Sequence, residues 1–266
     1  MSDFSSPHKL LLLGLLLVTG FAAGAINSLA GGGTLLSFPT LLLMASPIVA
    51  NATNTLALVP ASLSSMWGYR KDIVDAKAEI AALAIPSLVG GFLGARLVVH
   101  VGDARFSELI PWLIMGATVL FLIQQPIAKE IERRRSTEHP TMSRPLRLFL
   151  IACFQLPFAI YGGFFGAGMG IIILAALGFM GMAENIHRAN GVKNFAAACV
   201  NGMAAVSFIS QGKVDWVLAG VMAAASVLGG IGGAGIARKV GQVAVRRFIV
   251  AVGFGIGILM LIRHGH

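Results

Sequence analysis

One lysine and a row of asparagines stand out in a 266-residue chain that is otherwise mostly apolar. Over "VANATNTLALVPASLSSMWGY", residues 49–69, a helix turning by about 100° per residue gathers Asn51, Asn54, Thr55, Ser62 and Ser65 into one narrow stripe. A shift of 139 residues pairs Asn51 with Asn190, Asn54 with Lys193, Thr55 with Asn194 and Ser62 with Asn201, so a second stripe repeats the first with one added cation. Amides and hydroxyls in this pattern can donate hydrogen bonds to an oxyanion, and a lysine among them supplies compensating charge. An ionisable side chain inside a membrane span is costly and marks a functional site by default. Two plainer uses stand beside this one. The stripes can join helices through hydrogen bonds worth roughly 0.6–2 kcal/mol each, and Lys193, close to an expected helix end, can extend to the headgroups.

Two glycine clusters precede unusually short apolar runs. The first is "AINSLAGGGTLLSFP", residues 25–39, with Gly31, Gly32 and Gly33; the second is "GGFFGAGMG", residues 162–170, with Gly166, Gly168 and Gly170. The runs that follow, 34–45 and 170–182, reach only about 20 Å as helix and are either short crossings or re-entrant half-helices. A helix that begins inside a bilayer exposes unpaired N–H groups and the positive end of its dipole, which together can seat an anion. Glycines in membrane helices also serve as packing devices. Their matching position ahead of two half-length segments favours the seat.

The acids fit the same picture by where they are not. All eleven Asp and Glu fall at segment ends or in loops, so no carboxylate is expected mid-span. That argues against an acidic proton relay or a carboxylate cation site, and for a negatively charged cargo. There is no GxSxG, HExxH, aspartate-rich motif or P-loop, so neither an enzyme nor a cofactor is expected. Cys153 and Cys199 lie inside apolar segments without a CxxC or a His/Cys cluster, which gives no metal site and no disulfide framework.

The elements that carry these residues follow from composition. The chain is 56% hydrophobic and 12% charged, with a mean hydropathy of +0.83, against about 25% charged in a soluble domain. An all-α polytopic membrane protein, with the lipid bilayer as its surroundings, is the expected class. Ten apolar segments can be read at 9–29, 34–45, 49–68, 78–100, 107–125, 146–165, 170–182, 187–209, 214–237 and 243–262, of which eight are expected to span fully. The first has the outline of a cleavable signal peptide but is expected to be retained, because the glycine break follows it at once. The polar stretch 125–145 divides the chain into an N-terminal repeat (1–125), a basic cytoplasmic linker (126–145) and a C-terminal repeat (146–266). The 139-residue shift also carries Gly90-Gly91 onto Gly229-Gly230, Gly94-Ala95 onto Gly233-Ala234 and Leu122-Ile123 onto Leu261-Ile262, as a duplication would.

If every segment crosses, the second repeat is inverted. One side then collects fifteen of the twenty Lys and Arg: those of the 70–77 loop, the 129–147 linker, Arg188, Lys193 and residues 238–247. Treating the short segments as re-entrant flattens the split to about twelve against eight. The sharper asymmetry favours inverted repeats with both termini outside. It also accounts for the formal charge of +9 as membrane topology, without a nucleic-acid partner.

"AGGGTLLSFPTLLLMASPIVANATNTLALVPASLSSMWGYRKDI" resembles the first repeat of the sulfite exporter TauE/SafE family: a glycine-rich break, a proline in the short segment, a second proline and the pair Thr53-Asn54. "GAGMGIIILAALGFMGMAENIHRANGVKNFAAACVNGMAAVSFISQGKVDW" resembles its second repeat, with Gly166-Ala167-Gly168, Lys193-Asn194, Asn201 and a Gly-Lys-Val-Asp turn. The resemblance implies a carrier of the bacterial inner membrane for small sulfur-containing or carboxylated anions such as sulfite or an organosulfonate. Its two repeats would rock around a midplane site, as in other inverted-repeat transporters. A passive anion channel of the same fold, and a scaffold whose polar stripes only join helices, are the rival expectations.

Overall fold

The computed structural model describes residues 7–29, 32–137, 143–179, 186–240 and 242–264. Among these residues there are nine α-helices, one short 3-10 turn and no strand. The helices are α1 (Pro7–Leu29), α2 (Thr34–Leu42), α3 (Pro47–Gly68), α4 (Lys77–Thr137), α5 (Arg144–Phe164), α6 (Met169–Phe179), α7 (Ile186–Ser210), α8 (Trp216–Val240) and α9 (Gln242–His264), with the 3-10 turn at Val74–Ala76.

The expected segments reappear as these elements, with differences at the joints. The second segment is shorter than its apolar run, nine residues or about 14 Å. It stops because the N–H groups of Leu43 and Met44 fold back onto the carbonyls of Thr40 and Leu41. The next helix starts immediately, with Ser46 in an extended conformation and Pro47 at the first helical position, where its fixed φ suits a helix start. The fourth and fifth segments join into α4, which is interrupted only at Gly102 (φ 83°, ψ 159°). That helix also runs on to Thr137, into the stretch expected as linker, because "AKEIERRR" is built of strong helix formers.

Four stretches of the described residues are long and apolar enough to cross a bilayer: Pro7–Asn27, Val74–Ile123, Arg144–Phe164 and Arg188–Ser210. The second is 50 residues long, about 75 Å as helix and more than twice the hydrocarbon thickness, so the Gly102 break divides it into two passes. Five of the eight segments expected to span are therefore accounted for. Of the other three, α3 has the length but carries the polar stripe, and Trp216–Ile231 and Arg247–Ile262 are apolar but shorter. Large apolar side chains such as Leu11, Ile85 and Ile231 cover the outside of the bundle, as a lipid environment requires.

The two halves interlock. α1 packs on α8 and α5 on α4, both of them through small residues. A methyl group at Gly24 would collide with the Ser226 carbonyl, and one at Gly94 with the carbonyl of Ile160, so these helices touch backbone to backbone. α3 lies against α7 and α8, α7 against α3 and α4, and the short α2 and α6 pack on α9 and α4 respectively. Each of these contacts made by the first half has a counterpart in the second. Buried hydrogen bonds tie the seams, with Gln155 Nε2 donating to Ser87 Oγ at 2.9 Å and Ser226 Oγ to the Ala57 carbonyl at 2.9 Å.

Candidate functional site

Both glycine breaks are turns between helices, and they meet in the interior. After α1 the chain passes Gly32 (φ 131°) and Gly33 into α2. After α5 it passes Gly166 (φ 78°) and Gly168 (φ 80°) into α6. These positive φ values strain any residue with a Cβ, which is why glycine recurs here. The second turn is clasped by Tyr161, whose hydroxyl donates to the Ala167 carbonyl at 2.6 Å. Phe38 of α2 and Phe165 of the second turn stack edge to face, with centroids 5.2 Å apart at 86°. The two interruptions are therefore packed against each other.

Between them and the α3–α7 pair lies a small polar cavity of about 30 Å³, counted as the space open to the centre of a water-sized sphere. On that measure one water needs about 10–15 Å³, so the space suits two or three waters or one compact anion. Gly32 and Thr34 line it from the first break, and Phe165, Gly166, Met169 and Gly170 from the second. α3 contributes Asn54, Thr55, Leu58 and Ser62, and α7 contributes Lys193, Asn194, Ala197 and Asn201. Asn27, near the end of α1, completes the wall.

The polar walls are not equivalent. On α3 the donors are committed within the protein. Asn54 Oδ1 accepts from Ser37 Oγ at 2.5 Å, and its Nδ2 donates to Thr34 Oγ1 at 3.4 Å. Thr55 and Ser62 donate to the carbonyls of Asn51 and Leu58 one turn back, as hydroxyls inside helices commonly do. On α7 the situation is reversed. Lys193 is 1% exposed and Asn194 4%, yet neither Lys193 Nζ nor Asn194 Nδ2 has a hydrogen-bond partner among the described residues. A buried ammonium without a counter-charge is worth several kcal/mol of instability, and burial at this level means that Lys193 does not snorkel.

Residues 16–260 match the sulfite exporter TauE/SafE family. The chain belongs to that family. It is 31% identical over 250 residues to a probable membrane transporter protein of Haemophilus influenzae, covering 91% of this chain and 92% of the relative. It is 31% identical over 257 residues to the probable membrane transporter protein YfcA of Escherichia coli K12 (95% and 91%). To the probable membrane transporter protein ORF9 of a Sinorhizobium species it is 27% identical over 254 residues (94% and 92%). No solved structure matches it. Family and relatives together make the chain a multi-pass membrane transporter.

Within this TauE/SafE transporter the expected site residues divide into two groups. Gly32, Asn54, Gly166, Gly170, Lys193, Asn194 and Asn201 come together around the cavity. Gly33, Asn51, Thr53, Gly168 and Asn190 do not line it, and Gly31 lies outside the described residues. Gly33 is pressed against the Ala23 backbone, and Gly168 faces Ala117 and Leu120 of α4. Asn51 donates to the Phe164 carbonyl at 2.9 Å, and Thr53 Oγ1 accepts from the Asp215 N–H at 3.0 Å. Both bonds join the halves at the end of the cavity where α3 begins.

The sequence reading missed Asn27, Thr34, Phe165 and Met169. Asn27 carried a signal, as a lone amide in an apolar helix just before a glycine break. The others became visible only when the two turns met. Among the described residues no acid lines the cavity. Asp103 accepts from the Ile48 N–H at the start of α3, and Asp215 caps the first turn of α8 through Val217 and Leu218. Among the described residues no His, Cys, Asp and Glu group could hold a metal.

Proposed function

We propose that this protein is a secondary carrier that exports a small anion, such as sulfite or an organosulfonate, across the bacterial inner membrane. The single observation that carries the proposal is a pair of buried donors, Lys193 Nζ and Asn194 Nδ2, that have no partner among the described residues, in a cavity walled by both glycine turns and lined by no carboxylate among those residues. An anion entering there takes up the lone positive charge and the idle amide together. Backbone N–H groups at the Gly32–Gly33 turn and at Gly168–Gly170 add the positive ends of α2 and α6. Asn201 supplies a further side-chain donor. Asn51 and Thr53 support the site from outside the cavity by holding the halves in register.

Alternating access follows from the two-part build: the halves rock about the α3–α7 contact and expose the cavity to one side at a time. The 139-residue correspondence and the matching contact partners of the two halves support an inverted duplication. The export direction rests on the family's name. The proposal is tested with purified protein by thermal shift against sulfite, sulfate, methanesulfonate and acetate, followed by liposome flux of whichever anion stabilises it. Saturable counterflow is the expected result. Single-channel currents would replace the carrier by a channel, and the absence of any anion effect would remove the site.

A further inference from the structure

The two ends of the cavity are closed by different chemistry. Where α3 begins, the halves are joined by uncharged hydrogen bonds, Asn51 to Phe164 and Asp215 to Thr53. Where α7 begins, they are joined by charge. Arg188 Nη2 of α7 lies 2.8 Å from Glu79 Oε1 of α4 and donates to the Asp75 carbonyl at 2.9 Å. The Glu79 side chain is 8% exposed and that of Arg188 25%. One turn further into α7, Gly191 is pressed against Ile73 and Tyr69, so segment 69–79 sits as a cover on the first turns of α7. Lys193, in the cavity wall, follows two residues later.

The duplicated scaffold does not require this ion pair. The positions that correspond to Arg188 and Glu79 under the 139-residue shift are Val49 and Leu218, and neither carries a charge. The pair also leaves Glu79 Oε2 buried without a partner, so it is not optimised as a permanent structural tie. Once this end opens to water, both ions regain hydration, which makes a half-buried pair reversible in a way an apolar seal is not.

We infer that Glu79–Arg188 is an inter-repeat latch that keeps the α7 end of the cavity shut and breaks each time the carrier opens to that side. The inference rests on the alternating-access proposal above. Breaking the latch shifts the equilibrium toward the state open at that end by about two- to fivefold, the scale of one partly exposed ion pair.

The test is the rate at which a membrane-impermeant maleimide, applied from either face of oriented vesicles, labels a cysteine placed at Ala197 in a Cys153→Ala, Cys199→Ala background. Glu79→Gln should raise labelling from one face only, by about two- to fivefold, and the charge swap Glu79→Arg with Arg188→Glu should return it toward the parent rate. If Glu79→Gln does not fold, the double neutralisation Glu79→Gln with Arg188→Gln leaves no lone buried charge and must show the same one-sided increase. Unchanged labelling in the neutralised variants, an equal rise from both faces, or a charge swap as open as the single variant would each overturn the latch. Sulfite, sulfate, methanesulfonate and acetate are added in parallel arms. If none of them alters labelling or the melting temperature of the parent, the anion-carrier proposal fails while the latch is still judged by its one-sidedness.

Discussion

Lys193→Met is the substitution that separates an anion site from a structural residue. Methionine keeps the length and apolar stem of lysine and removes only the ammonium. That ammonium is 1% exposed and has no hydrogen-bond partner among the described residues, so its loss breaks none of their hydrogen bonds and relieves a burial cost. The variant is therefore expected to melt at the same temperature as the parent or higher, as when buried charges are replaced by apolar groups of similar volume. With an anion present the sign reverses. A hydrogen bond to a charged group contributes about 1.5–3 kcal/mol net, which corresponds to roughly 10- to 150-fold in Kd. The gross attraction of two unit charges at about 4 Å and an effective dielectric constant near 20 is about 4 kcal/mol, which sets the upper limit before desolvation is subtracted. Calorimetric titration of the detergent-solubilised variant with the anion that stabilises the parent, alongside its melting curve, gives both numbers. A Lys193→Met protein that binds within threefold of the parent, or that melts several degrees lower, would refute the assignment of the charge to the ligand.

The walls of the cavity should respond differently to truncation. Asn194→Ala removes an idle donor and should weaken anion binding by about 0.5–1.5 kcal/mol with little change in melting temperature, read in the same titration. Asn54→Ala takes away the donor to Thr34 Oγ1 and leaves the Ser37 hydroxyl only the Gly33 carbonyl, and should cost about 1–3 kcal/mol of stability, seen as a lower thermal midpoint before any anion is added. Gly168→Ala forces a Cβ onto φ 80°. It should cost about 1–2 kcal/mol and loosen the turn that Tyr161 clasps, with reduced flux at unchanged expression as the readout.

Much of the scaffold was legible because it depends on local pattern. Apolar run length placed the segments to within a few residues, and glycine clusters before short runs marked both turns. The two passes expected at 78–100 and 107–125 are both present, and the joint between them is tighter than the gap in the apolar pattern suggests, because one glycine with positive φ at Gly102 makes the turn without any polar punctuation. The site was legible in type but not in wiring. Helical periodicity brought Asn54, Lys193, Asn194 and Asn201 to common faces, and the cavity gathers them. Periodicity carries no information on partners, however. That Asn51 and Thr53 hold the halves together, and that Ser37 and Thr34 occupy Asn54, depends on which helices abut, and those contacts join residues up to 162 positions apart.

The difference between the two stripes has a physical cause in the half-helices beside them. α2, "TLLSFPTLL", offers Thr34 and Ser37 to the interior, and these hold both ends of the Asn54 amide. α6, "MGIIILAALGF", has no polar side chain at all, so nothing on it can satisfy Lys193 or Asn194. A cavity with idle donors on both walls would bury twice the unsatisfied polarity whenever it stood empty. With the cavity-lining amide and hydroxyls of α3 bonded within the protein, that cost falls on one wall only, and on the carrier reading the strongest attraction for a negative solute is confined to α7. The same helix carries Arg188 in its first turn, five residues before Lys193, where it is tied to the other half through Glu79. If Lys193 binds the anion and the Arg188–Glu79 pair is the latch, as proposed above, any shift of α7 at Lys193 reaches that pair within two turns, which would couple occupancy to access without a longer chain of intermediaries.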